Sequence, residues 1–515
     1  MNGAQSLVRT LVANGVNVCF TNPGTSEMHF VAALDKVEGM RCVLGLFEGV
    51  VTGAADGYYR MTGRPACTLL HLGPGLGNGL ANLHNAKKAR SGIVNIVGEH
   101  ATYHLKHDAP LTADIAGIAR PVSHWVHTAA SARNLAADCA LAIQQARSAP
   151  GHIATLIAPA DTAWGEGEGP ARAEAGTARK SVESGAIRDA VHALMRGEPA
   201  MLLLGGAALR GRALEDAGRI AAKTGCRLMS EFNNARMECG AGRVRVDRLP
   251  YPVDSALGVL KDVRQLVLAG AKPPVSFFAY PGKPSVLAPE HCTVTQLARV
   301  EDDLVGALQA LAAELDASHL PPAHVNDLRR SALPGGKITP DGIAAVLVAL
   351  LPEDAVVIDE SVTTGRNFGA FMAQASPHDW LSIMGGSIGW ALPAATGAAI
   401  AAPERKVVAL EGDGSGMYTL QALWTMAREN LDVTVIVLAN HSYQILHTEL
   451  RNMGAGTPGQ RAADMLTLDR PHLDWVALAR GLGVESARAE TLEEFGAQLK
   501  TGFARRGPYL IELVF

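Results

Sequence analysis

Short apolar runs that stop at glycine- or asparagine-bearing turns alternate, along most of this chain, with stretches whose apolar residues recur every three to four positions. Extended and helical periods in that order predict strands crossed over by helices, and therefore parallel sheets covered on both faces. The pattern is sharpest between Val407 and Tyr443. An apolar run over 407–410 stops at Gly412-Asp413-Gly414, a helix is expected over about 419–429, and a second run over 433–438 stops at Asn440-His441-Ser442. In a right-handed βαβ unit the two strands end at the same edge, so Asp413 and Asn440 should face one crevice.

The same alternation runs from the amino terminus. Helical spacing over 4–15 leads to a strand over 16–20 and the turn Asn22-Pro23-Gly24-Thr25, with further strands expected over 41–46, 67–72, 93–97 and 152–157. Periodicity fails over 163–180, where Gly, Glu, Ala and Arg gather, and the stretch reads as a linker. A second set over 181–320 has strands expected at 200–204, 226–230, 265–269, 275–279 and 292–296, and a proline- and glycine-marked break over 321–338 precedes a third set over 339–515. The expected fold is α/β, with three doubly wound parallel-sheet domains at 1–162, 181–320 and 339–515.

Composition agrees and excludes several functions. A chain of 515 residues is too long for one core, and 48% hydrophobic content fills about three. The net charge of −4 supplies no basic stripe, so no nucleic-acid partner is expected. Seven scattered cysteines without a CxxC pair indicate neither a disulfide framework nor a zinc site. No apolar run reaches the roughly 18 residues of a membrane span, and no basic-then-apolar leader opens the chain, so a soluble cytoplasmic protein with no membrane partner is expected.

The candidate chemistry begins with oxygen donors. A carboxylate at Asp413, an amide at Asn440 and a turn carbonyl near Ser442 form a hard-cation set too small to act alone, which suits Mg2+ completed by water and phosphate and does not suit zinc. Gly414-Ser415-Gly416 leaves backbone N–H groups open to an anion ahead of the helix. In the first domain, the apolar run 42–47 meets Glu48 at a helix start; a carboxyl there either answers the helix dipole or has a specific partner. His71 stands at a strand end before a glycine-rich turn, and His100, His104 and His107 share a loop after the strand over 93–97, where solvation is the ordinary reading and His104 the one to follow. Gly205-Gly206 lacks the rest of a dinucleotide fingerprint and reads as a structural turn.

GDG followed by Asn440 at a spacing of 440 − 413 = 27 residues resembles the thiamine diphosphate signature, and the resemblance extends over nearly the whole chain, to the acetolactate synthase and benzoylformate decarboxylase branch of the 2-oxo acid enzymes. It implies a pyrimidine-binding first domain, a central domain and a diphosphate-binding third domain. It also implies Asp413, Asn440 and the Ser442 carbonyl as Mg2+ ligands, with Gly412, Gly414, Ser415 and Tyr443 beside the cofactor. Thr363 would contact the diphosphate, the Gly386 carbonyl would accept from the aminopyrimidine, and Ile388 would wedge the cofactor into its bent shape. Glu48 leads a helix whose Ala54-Ala55-Asp56-Gly57-Tyr58 and Arg60 match the family pattern, which implies a bond from Glu48 to the aminopyrimidine N1′. Thr25 and His71 match substrate-facing positions.

Two departures matter. Gly73-Pro74-Gly75 resembles the synthase type, and Phe277-Phe278-Ala279-Tyr280 lacks the second histidine expected of a benzoylformate decarboxylase. The implied function is a thiamine diphosphate- and Mg2+-dependent non-oxidative 2-oxo acid decarboxylase with capacity for carboligation. The alternatives are an acetolactate synthase-type carboligase acting on pyruvate, and a cofactor-binding regulatory subunit without turnover, which retention of Glu48, Asp413 and Asn440 disfavours. FAD is not expected. The resemblance implies a homodimer at least, and a homotetramer as the functional form.

Overall fold

The computed structural model describes residues 1–329 and 332–515. Three mainly parallel sheets, of six, five and seven strands, are interleaved with helices, which is the expected α/β architecture.

The first sheet comprises β1 (Val18–Asn22), β2 (Arg41–Leu44), β3 (Ala66–Leu70), β4 (Ile93–Glu99), β5 (Trp125–Thr128) and β6 (Ile153–Pro159), in the order β2-β1-β3-β4-β6-β5. β3, β4 and β6 are buried along their whole length, which explains their unbroken apolar runs. Asn22 of β1 pairs opposite Leu70 of β3, so the turn after Asn22 and the residue after Leu70 emerge side by side. The strand expected over 67–72 stops at Leu70, because Leu72 already begins the helix Leu72–Ala89. β5 was not foreseen: it is a short, half-exposed edge strand without a clear period.

In the second sheet, β7 (Ala200–Leu204), β8 (Arg227–Ser230), β10 (Asp247–Arg248), β11 (Gln265–Ala269) and β12 (Thr293–Ala298) are ordered β10-β8-β7-β11-β12. The strand expected over 275–279 does not form. Val275 makes one isolated bridge to Val286, and Phe277 and Phe278 remain 48% and 47% exposed. Prolines at 273, 274 and 281 bracket the run and keep a ladder from extending past either end. Between β8 and β10, β9 (Met237–Cys239) leaves for the third sheet.

That third sheet contains β13 (Ala355–Glu360), β14 (His378–Ser382), β15 (Val407–Gly412), β16 (Val433–Ala439), β17 (Glu485–Ala489) and β18 (Tyr509–Val514), in the order β17-β18-β16-β15-β13-β14-β9. β15 and β16 are parallel neighbours with Gly412 opposite Leu438, as the pattern required. The connecting helix is shorter than expected: one turn at Asp413–Gly416, then Ala422–Arg428.

One apolar core joins the first sheet to the third, through Phe20, Leu76, Ile358 and Trp390, and another joins the second sheet to the third. At the first junction the helices Glu48–Thr62 and Ala391–Ala401 cross almost backbone to backbone. A Cβ at Gly57 would lie 2.1 Å from the Ala394 carbonyl oxygen, and one at Gly397 would lie 1.8 Å from that of Ala54. Beside the crossing, Arg60 and Asp56 form a buried ion pair at 2.7 Å; Trp390 Nε1 donates to Asp56, and the Arg60 guanidinium lies 4.3 Å from a Trp390 ring centroid. Stripping one partner from such a pair typically costs about 3–5 kcal/mol. Much of the helix motif over 54–60 therefore binds one sheet to another. The stretch 163–180 is not free either: the Ala171 N–H donates to Thr10 Oγ1 and the Ala173 N–H to Asn14 Oδ1.

Candidate active site

At the carboxyl edge of the third sheet, the buried Asp413 carboxylate accepts the His441 N–H at 2.7 Å and the Gly414 N–H at 2.9 Å. The turns after β15 and β16 are thereby tied together, with Asn440 and Ser442 flanking His441. Asn440 Oδ1 accepts the Ser442 N–H at 3.1 Å, Ser415 is buried in the turn Asp413–Gly416, and the Tyr443 ring lies over Gly414. Burial pushes the Asp413 carboxyl up to about 6, against the pull of these N–H groups. Among the described residues no cluster of three or more His, Cys, Asp or Glu side chains could hold a metal by itself. One desolvated carboxylate, one amide and a turn carbonyl do fit a hard cation that brings its own phosphate oxygens.

Gly386 and Ile388 lie on the loop between β14 and the helix Ala391–Ala401, and the first domain of the same chain holds that loop. Asn85 Nδ2 donates to the Ser387 carbonyl at 2.8 Å, Asn85 Oδ1 accepts the Ser387 N–H at 3.2 Å, and Asn82 Nδ2 donates to the Gly389 carbonyl at 3.2 Å. From below, Glu360 at the end of β13 accepts the N–H groups of Gly389, Trp390 and Ala391 at 2.6–2.7 Å, and burial pushes its carboxyl up to about 7. Ile388 is half-exposed rather than packed in the core. With Gly386 and Tyr443 it lines a cavity of about 440 Å3. Thr363 sits in the turn after β13, half-buried and beside that cavity's lining residues Ser361 and Val362.

The first sheet gathers a second group. Glu48 begins the helix Glu48–Thr62; its Oε2 accepts Asn78 Nδ2 at 2.9 Å, and a Cβ on Gly75 would lie 3.2 Å from its Oε1 and 3.4 Å from His71 Cβ. Glu48 and His71 thus both border Gly75. The expected glycine-rich turn after His71 is instead the first turn of the helix Leu72–Ala89, and Glu48 is half-exposed in the single chain rather than buried. Thr25, exposed, follows Gly24, whose own Cβ would overlap the His71 ring. His71 Nδ1 lies 2.7 Å from Glu27 Oε2, which also accepts the Gly24 N–H at 2.8 Å. Glu27 is fully buried, and burial raises its carboxyl against the pull of Gly24 and His71. That contact anchors the ring through Nδ1 and leaves Nε2 without a hydrogen bond among the described residues. Glu27 was missed in the sequence; its signal was an acidic residue two positions after Thr25 in the same turn.

Thr25, Glu48 and His71 do not line the cavity of Gly386 and Ile388. Among the described residues of one chain, therefore, the expected site residues form two groups, of which only the one with Gly386 and Ile388 lines that cavity. His104 belongs to neither group; its ring stands between those of His100 and His107, at 5.4 and 5.7 Å. Backbone strain marks both groups. Leu72, Val362 and His441, non-glycine residues at φ 48°, 45° and 53°, adjoin His71, Thr363 and the Asn440–Ser442 turn. An apolar or β-branched residue held there costs of order 1–3 kcal/mol, a cost that clusters at working sites.

Two family models match this chain: "Thiamine pyrophosphate enzyme, N-terminal TPP binding domain" over residues 1–118 and "Thiamine pyrophosphate enzyme, C-terminal TPP binding domain" over 363–513. The chain belongs to the thiamine pyrophosphate enzyme family. Among its relatives, IlvX of Mycobacterium tuberculosis, whose name assigns it provisionally to the acetolactate synthase large subunits, is 52% identical over 100% of this chain and 99% of its own. A benzoylformate decarboxylase of Pseudomonas aeruginosa is 32% identical over 97% and 96%. In structure the chain is similar to a thiamine diphosphate-dependent 4-hydroxybenzoylformate decarboxylase of Rhodococcus jostii, with a TM-score of 0.87, 26% identity, and coverage of 99% of this chain and 98% of that one.

Proposed function

We propose that the protein is a thiamine diphosphate- and Mg2+-dependent decarboxylase of 2-oxo acids that releases CO2 without oxidation. The observation that carries this reading is His71, fixed by the buried Glu27 with Nε2 free. Bound thiamine diphosphate would supply a nucleophilic carbon and a sink for the electron pair left by CO2. Asp413, Asn440 and the Ser442 carbonyl would hold the metal, Thr363 and the turn over 412–415 the diphosphate, and Gly386, Ile388 and Glu48 the pyrimidine end. Glu48 would hold a proton at the pyrimidine N1′. After CO2 leaves, one proton must reach a carbon, and an oriented imidazole is the side chain suited to deliver it near neutral pH. Thr25, beside Gly24, would face the substrate carboxylate.

The name of the 52% identical relative favours a second reading, a carboligase that joins two pyruvates. Supplying benzoylformate and pyruvate separately, with thiamine diphosphate and Mg2+, separates the two. The expected products are aldehyde and CO2, with His71→Ala slowing release by about a hundredfold or more. Acetolactate as the sole product, unaffected by His71→Ala, would establish the synthase instead.

A further inference from the structure

The cavity onto which Gly386 and Ile388 open continues past them. Phe232, Arg248, Tyr251 and Arg366 line it and also line a second cavity of about 410 Å3, which reaches between the stretch around β10 and the helix Phe368–Met372. Gly386 and Ile388 do not line the second cavity, so those four residues mark the junction. One wall is continuously aromatic. Ring centroids are 5.3 Å apart from Phe232 to Tyr251, 5.5 Å from Tyr251 to Phe277 and 5.0 Å from Phe277 to Phe278, all tilted or edge-on. Such a wall suits a flat or extended apolar body.

Arg366 in this wall has bonding capacity to spare. The Arg366 guanidinium carbon lies 5.4 Å from the Tyr251 ring centroid, and its Nη2 is buried without a hydrogen-bond partner. A buried donor left unmade is costly, and an orphan on a charged group points to a missing acceptor. Of the acids lining the first cavity, Glu449 is already engaged: it accepts the hydroxyls of Tyr251 at 3.2 Å and Tyr280 at 2.8 Å. Arg248 lies over the Trp380 ring and 3.9 Å from Asp359, a loose ion pair, and unlike Arg366 has no buried unpartnered nitrogen among the described residues. Thr363, Asp413 and Asn440, which would hold the diphosphate and metal, line neither cavity.

We propose that Arg366 determines specificity, and that the substrate is a 2-oxo acid whose aryl or extended alkyl side chain lies along the aromatic wall and ends in a second carboxylate paired with Arg366. The proposal rests on the decarboxylase reading above and adds to it the class of acid. Guanidinium and carboxylate match as a two-pronged, charge-assisted pair, and stacking on Tyr251 keeps the fork oriented.

The test uses matched acids with and without the distal group: 4-carboxybenzoylformate against benzoylformate, and 2-oxoadipate against 2-oxohexanoate. For the enzyme with thiamine diphosphate and Mg2+, kcat/KM for CO2 release should favour the carboxylated member of at least one pair by about tenfold or more. Arg366→Met should remove that preference by weakening the carboxylated acid alone, Arg366→Lys should retain part of it, and thiamine diphosphate affinity should stay within about twofold. Preference for the uncharged acid in both pairs, equal loss on both members, or weakened cofactor binding in Arg366→Met would overturn the proposal. Calorimetric binding of the same acids keeps the two readings apart. Arg366-dependent binding without CO2 release would remove the decarboxylase and leave the acid class standing, whereas CO2 release without any preference would remove only the acid class.

Discussion

Glu48 and Glu360 both serve helix amino ends, yet their surroundings assign them different work. Glu48 is half-exposed, holds one amide from Asn78 and keeps acceptor capacity open. Glu48→Gln should therefore fold and bind thiamine diphosphate nearly as well as the parent, while turnover falls by more than about a hundredfold, the scale of an acid–base group; unchanged hydrogen–deuterium exchange at the cofactor's reactive carbon would refute that role. Glu360 is buried, spends both oxygens on the N–H groups of the 389–391 turn, and is pushed from 4.5 up to about 7. Folded protein then holds this proton more tightly than the unfolded chain. The stabilisation is complete below about pH 4.5 and is lost as pH rises through 7. Urea unfolding of the cofactor-free protein should show the stability difference between parent and Glu360→Gln shrinking as pH rises from about 4.5 to about 8. A constant difference would mean that Glu360 is ionised throughout. In the sequence Glu48 stood out because an apolar run ended on it. Glu27 and Glu360 did not, because what distinguishes them is burial against partners, 44 residues away for Glu27 and about 30 for Glu360.

Elements were legible where their period was long and their partners close. β15 and β16 followed directly from two apolar runs around a glycine turn. The run over 275–279 was misread because apolar residues in a row describe a buried strand and a cavity wall equally well, and only tertiary context assigns Phe277 and Phe278 to the wall. β9 was invisible for a related reason: three residues gain strand geometry only by pairing with β14, more than a hundred positions on. The helix crossing at Gly57 and Gly397 belongs to the same class, since a glycine in a helical stretch does not announce what touches it. Gly57→Ala should destabilise the protein by about 3 kcal/mol, because the new methyl meets the Ala394 backbone rather than a side chain that can turn away. Gly185→Ala is the control. It lies in the helix Ser184–Leu194 with nothing within 4 Å of the added methyl, and should be neutral or stabilising by about 0.5–1 kcal/mol. Equal melting temperatures for the two variants would show that the crossing relaxes freely.

At the scale of the molecule, the two groups of site residues must be reconciled. Glu48 and His71 flank Gly75 at the first sheet, Gly386 and Ile388 open onto the cavity of the third, and among the described residues of one chain Glu48 and His71 do not line that cavity. The separation is rigid rather than adjustable, because the helix crossing and the bonds from Trp390 Nε1 to Asp56 and from Arg60 to the Ser382 carbonyl lock the first sheet to the third. A single chain therefore cannot close one group on the other without breaking that core. A second copy related by a two-fold axis can, since an isologous contact presents the first domain of each chain to the third domain of the other and completes two sites at once. The working assembly should accordingly be a homodimer at least, with a homotetramer as a pair of such dimers. Glu48→Gln and Asp413→Ala lesions would then fall on opposite contributors to each site. Mixed and allowed to exchange, two inactive proteins should form hybrids in which one of the two sites carries neither lesion, so activity should return to about a quarter of the parent level when chains assort at random. Sedimentation of the parent should show no active monomer, and dilution should reduce specific activity once the dimer dissociates. An active monomer, or a mixture that stays inactive after exchange is verified by labelled chains, would place both groups in one subunit's site.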